Sequence, residues 1–88
     1  MSDLLLKQED LSSEYTAKVW ALGTKRPFFQ VLVYNSEGWP VDWYDAGGDL
    51  EHALEALAAA RNSGFNFERF RAEQRWKMAD ERGELALY

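Results

Sequence analysis

The sequence predicts an α+β domain, a three-stranded antiparallel β-meander followed by two helices, and three observations carry that expectation. Between Tyr15 and Tyr44, three runs rich in β-branched and aromatic residues are separated by short segments of turn chemistry. After Gly47-Gly48 the apolar residues change from a period of two to a period near 3.6. The chain has 88 residues, enough for one small domain, and thirteen aromatic residues (four Trp, four Tyr, five Phe) to build its core.

Residues 1–14 show no sustained period and read as irregular or as a short helix. Tyr15–Leu22 (YTAKVWAL) is the first strand, ended by Gly23-Thr24-Lys25-Arg26. Phe28–Tyr34 is the second. Asn35-Ser36-Glu37-Gly38 is a turn, with Asn first and Gly last, and Trp39–Tyr44 returns as the third strand. Sequential strands with short loops pair antiparallel.

Asp49 caps the first helix, and Glu51 lies in its first turn, where the helix dipole favours an anion. Leu50, Ala53, Leu54, Leu57 and Ala58 fall on one stripe, and Asn62-Ser63-Gly64 stops the helix. The second helix spans about Phe67 to Arg82, between an Asn66 cap and a Gly83 stop. Its stripes diverge: Phe67, Phe70 and Met78 point one way, Ala72, Trp76 and Ala79 the other, so one of these faces should touch something beyond the core. Arg69–Glu73, Glu73–Lys77 and Lys77–Glu81 are spaced to lace a solvated helix. Glu84 to Tyr88 reads as a frayed tail or a short edge strand.

Polar residues on the strands indicate which face meets water. Lys18, Gln30 and Asp42 turned outward would place Val19, Ala21, Phe29, Val31, Val33, Trp39, Val41 and Trp43 under the first helix. The other face would then carry Trp20, Leu22, Phe28, Leu32, Tyr34 and Tyr44, too apolar to stay in water. The second helix, the Leu4-Leu5-Leu6 segment, a second copy or another protein are the candidates to cover it.

The net charge is −5, and it is concentrated: residues 27–60 contain Glu37, Asp42, Asp45, Asp49, Glu51 and Glu55 and no Lys or Arg. Such a region repels phosphate backbones and anionic lipid and attracts a basic protein. A sheet with aromatic side chains could stack nucleobases, but Lys18 alone supplies positive charge there, which argues against direct nucleic-acid binding. With no cysteine, disulfides and thiolate sites are excluded. The N-terminus has neither a signal-peptide pattern nor a membrane-spanning run, so a soluble, cytoplasmic protein without membrane contact is expected.

Asp42, Asp45, Asp49 and His52 raise the question of a metal, but their spacing lacks the two-residue step and central glycine of a calcium loop. No cofactor is expected. The serines sit in caps and turns, and no nucleophile has a base nearby, so an enzyme is not expected. The expected function is therefore non-enzymatic: a small acidic binding or inhibitory protein that docks on a larger basic partner. Glu37, Asp42, Asp45, Glu51 and Glu55 would form the acidic surface, and Trp20, Tyr44 and Trp76 the aromatic anchors. A narrower version is a phage- or plasmid-type inhibitor of a nuclease or CRISPR complex, competing for a nucleic-acid-binding surface. The alternatives are a structural homodimer and a DNA-binding arm module of β-β-β-α type.

Overall fold

The computed structural model describes residues 3–23 and 25–81. Strands β1 (Leu4–Asp10), β2 (Thr16–Leu22), β3 (Phe28–Tyr34) and β4 (Pro40–Gly47) precede helices α1 (Leu50–Asn62) and α2 (Glu68–Glu81). The α+β class, the antiparallel sheet and the two helices are as predicted, but the sheet has four strands, in the order β1-β2-β3-β4. The additional strand, β1, lies within residues 1–14, where an irregular segment or short helix was expected. Leu4 to Asp10 carries no alternation because an edge strand is exposed along most of its length, and a register shift between Leu5 and Lys7 breaks the period. The segment 84–88 and the Gly83 stop lie outside the described residues.

On β2 and β3 the alternation is as predicted. Ala17, Val19 and Ala21 pair across the strands with Val33, Val31 and Phe29, and they form one inner face. Helix α1 lies over β2, β3 and β4, with Ala53, Ala56, Leu57 and Ala60 buried against them. The buried stripe is rotated from the predicted one, leaving Leu50 and Leu54 exposed. Alanines win the inner positions because a helix bearing them can approach a sheet floored by Ala and Val closely.

The predicted caps are present. The Asp49 carboxylate accepts from the N–H groups of Glu51 (2.9 Å) and His52 (3.3 Å). At the far end the Phe65 N–H returns to the Ala60 carbonyl at 3.0 Å, and Gly64, with φ of 75°, takes the left-handed step this closure needs. Phe65 is also left-handed (φ 62°), a rare conformation for a bulky residue, and its ring stacks on Tyr15 at 5.1 Å. The Asn66 side chain accepts from the Glu68 N–H at 3.0 Å and starts α2.

Strand β4 corrects the sequence reading. Asp42 and Tyr44 stand opposite Val33 and Val31, on the inner face, whereas Trp43 and Asp45 stand opposite Leu32 and Gln30, on the outer face. Trp39, Val41 and Trp43, expected in the core, are exposed. Two register shifts, between Phe29 and Gln30 and between Val33 and Tyr34, let the strand keep this facing. The reason is the partners that wait inside. The Asp42 carboxylate accepts from the Phe67 N–H at 2.7 Å, from its neighbour Trp43 N–H at 2.9 Å, and from Arg71 Nη2 at 2.9 Å. Arg71 also donates to the Trp43 carbonyl.

Both helices consequently lie on the same side of the sheet. Phe67 and Phe70 of the α2 segment are buried against Tyr44, at ring distances of 5.9 and 5.0 Å, and Phe70 also meets His52 at 5.4 Å. The Cα envelope measures 45 × 34 × 17 Å, and the 17 Å dimension accommodates one sheet and one helix layer.

Candidate interaction surfaces

The outer face of the sheet carries Leu5 on β1, Trp20 and Leu22 on β2, Phe28, Leu32 and Tyr34 on β3, and Trp43 on β4. Among the described residues no element packs over them. Trp43 is 53% exposed, and Trp39, at the entry to β4, is 67% exposed. Trp20, Leu22, Leu32 and Tyr34 are half-buried because neighbouring rings on the same face shield one another. Polar groups punctuate this face: Lys18 lies over the Tyr34 ring at 4.9 Å, and Asp45 accepts from Gln30 Nε2 at 2.8 Å.

A second apolar surface lies on the helix layer. The contacts of Phe67 with Asp42, and then of Phe70 with Tyr44 and His52, carry α2 from the turn end of β4 toward the start of α1. Its first two turns are docked. From Arg75 to Met78 every side chain is exposed, including Trp76 at 63% and Met78 at 50%. The outward side of α1 places half-exposed Leu50 and Leu54 beside Glu51 and Glu55.

The residues expected to form one acidic surface are divided. Asp42 is internal, and its charge is used by Arg71. Burial by itself pushes the Asp42 carboxyl up, but hydrogen bonds from Arg71, Phe67 and Trp43 and the charge of Arg71 outweigh it and hold it below the usual range. Asp45 is on the outer sheet face, Glu37 in the β3–β4 turn at one end of the sheet, and Glu51 and Glu55 on α1, which starts at the other end. The anchors divide as well: Trp20 is on the outer face, Trp76 on distal α2, and Tyr44 in the core.

Tyr44 begins a chain of hydrogen bonds that runs from the core to the surface. Glu55 is an acceptor, so His52 Nδ1, 3.2 Å from Glu55 Oε1, carries a proton, and in the neutral ring His52 Nε2 accepts from the Tyr44 hydroxyl at 2.7 Å. Burial pushes the Tyr44 phenol above its ordinary value; Arg71 opposes that shift and Glu55 adds to it. The chain therefore sets the tautomer of His52 and ties β4 to α1. Another ion pair joins the edge strand to the helix layer: Arg61 forks onto both Glu9 oxygens, with Nη2 at 2.8 Å from Oε1, and lowers the Glu9 carboxyl.

Among the described residues no group of three or more His, Asp or Glu side chains is placed to hold a metal ion, and no helix is long and apolar enough to cross a membrane. The exposure of Trp39 and Trp43 went unseen in the sequence, although Val41 and Trp43 alternate with Asp42 and Tyr44 and so had to share one fate. Comparison with protein-family models, curated proteins and solved structures gave no match.

Proposed function

We propose that this chain is a small acidic protein that acts by binding a larger basic protein through its helix layer, without chemistry of its own. The observation that carries this reading is the stretch 75–78 of α2, where every side chain is exposed, Trp76 and Met78 among them. A tryptophan between Arg75 and Lys77 has the composition of an interface anchor, because Trp and Arg concentrate binding energy when they enter a pocket. Leu50 and Leu54 add apolar area, and Glu51 and Glu55 beside them favour a cationic rim on the partner. The net charge of −5 supplies long-range steering of the same sign. A partner that uses such a basic surface for nucleic acid would be blocked by this occupant, as an inhibitor of a nuclease or CRISPR complex would block it.

Affinity capture from the native host, with the full chain as bait beside Trp76→Ala and the pair Glu51→Lys/Glu55→Lys, tests the reading. A basic protein retained by the parent should fall by about tenfold or more with Trp76→Ala. It should also lose its salt sensitivity with the charge-reversed pair. Retention that is the same for all three baits would overturn the proposal.

A further inference from the structure

The outer face of the sheet remains, and the helix layer cannot reach it. We infer that its occupant is a second copy of this chain, packed face to face about a two-fold axis that lies in the interface and runs across the strands. The product is a four-layer α-β-β-α homodimer. It goes beyond the helix-layer reading and does not depend on it, since the two surfaces lie on opposite sides of a slab 17 Å thick.

The charge at the two ends of the sheet decides between a copy and a basic partner. The β2–β3 loop, central at the end where β4 finishes, carries Lys25 and Arg26, both exposed and without an ion pair among the described residues, with exposed Asp3 to one side at the start of β1. The opposite end carries Asp10 at the end of β1, Glu14 in the β1–β2 loop and Glu37 in the β3–β4 turn, all exposed. A uniformly basic surface laid over this face would be drawn to Asp10, Glu14, Glu37 and Asp45 but repelled at the central loop by Lys25 and Arg26. A copy turned about an axis across the strands instead brings each basic end over the partner's acidic end. The central β2–β3 loop of one copy then falls between the two flanking acidic loops of the other. The complementarity occurs twice by symmetry, as an isologous contact requires.

The strand geometry agrees. A two-fold axis across the strands leaves the strands of both copies along nearly one line, which is the aligned class of sheet packing, with a crossing near 30° set by the twist. Four strands of about seven residues give a footprint of roughly 19 by 23 Å. Protruding Trp43 and Phe28 and the end loops extend this toward the roughly 800 Å² per partner of a standard interface. Lys18 is already settled on Tyr34 and Asp45 on Gln30, so both polar groups enter the contact with a partner in place.

Sedimentation equilibrium of the full chain tests this. The parent should form a dimer. Lys25→Glu/Arg26→Glu makes both ends acidic and Glu14→Lys/Glu37→Lys makes both ends basic, so each alone should weaken the dimer by about tenfold or more. An equimolar mixture of the two variants should restore association, because acidic ends then meet basic ends. Trp43→Glu, at an exposed position midway along β4, should leave a folded monomer by circular dichroism. The inference is overturned by a parent that stays monomeric up to about 1 mM. It is equally overturned by a dimer indifferent to Trp43→Glu, or by end variants that weaken association without rescue on mixing.

Discussion

The inner and outer faces of the sheet belong to the same strands, and the inner one carries the smaller side chains. Under α1 its floor is Ala17, Val19, Ala21, Val31, Val33 and Ala46, with Phe29 and Tyr44 as the larger members, and α1 meets it with Ala53, Ala56 and Ala60. The outer face holds Trp20, Phe28, Leu32, Tyr34 and Trp43. Apolar content alone would send the helices to the tryptophans. They pack instead where small residues on both surfaces allow close approach, because a gap of about an ångström already forfeits up to half of the attraction between atoms. The face richest in apolar surface is thus the one that no described element covers.

That contrast can be broken most directly at Leu57, fully buried between α1 and the sheet. Leu57→Ala should cost about 2–5 kcal/mol, read as a shift of the urea midpoint at unchanged slope. The next effect belongs to the ion pair that turned β4 inward. Arg71→Ala leaves the Asp42 carboxylate on the inner face without its cation, and should cost about 1–3 kcal/mol.

The same pair gives the fold a pH dependence of known sign. The carboxyls of Asp42 and Glu9 are lowered in the folded protein, so their stabilising contribution is complete above their unfolded values of about 4. It is lost as pH falls through the lower folded values. Urea midpoints measured from pH 7 to pH 2 should therefore decline below about pH 4, and Asp42→Asn should flatten part of that decline. A smaller loss, about 1 kcal/mol, is expected from Asp49→Ala at the α1 cap. The smallest belongs to the outer face. At concentrations where the chain is monomeric, Trp43→Ala should change stability by no more than about 0.5 kcal/mol. A loss as large as that of Leu57→Ala would show that the outer face is part of the monomer's own core.

Much of the fold was legible in the sequence, for local reasons. Asp49, Gly64 and Asn66 act on backbone groups two to five residues away, and β2 and β3 reveal their period within seven residues. The fourth strand was not legible, because β1 buries little and owes its conformation to hydrogen bonds with β2. Nor was the candidate site, apart from Trp76, Glu51 and Glu55 on the outside of the helices. Asp42 was read as outward because a carboxylate ordinarily keeps to water, and Tyr44 followed it by alternation. That rule fails where a guanidinium and a helix-start N–H are supplied from inside.

By itself, then, the sequence determined two capped helices after an antiparallel sheet, the inward set of β2 and β3, and an acidic middle region. Alternation determined which residues of β4 share a face, but not which face. The tertiary structure made that choice, because the partners of Asp42 lie 25 and 29 residues further along the chain, at Phe67 and Arg71. Anchoring the start of α2 there placed both helices on one side, and so left the aromatic side of the sheet without cover among the described residues.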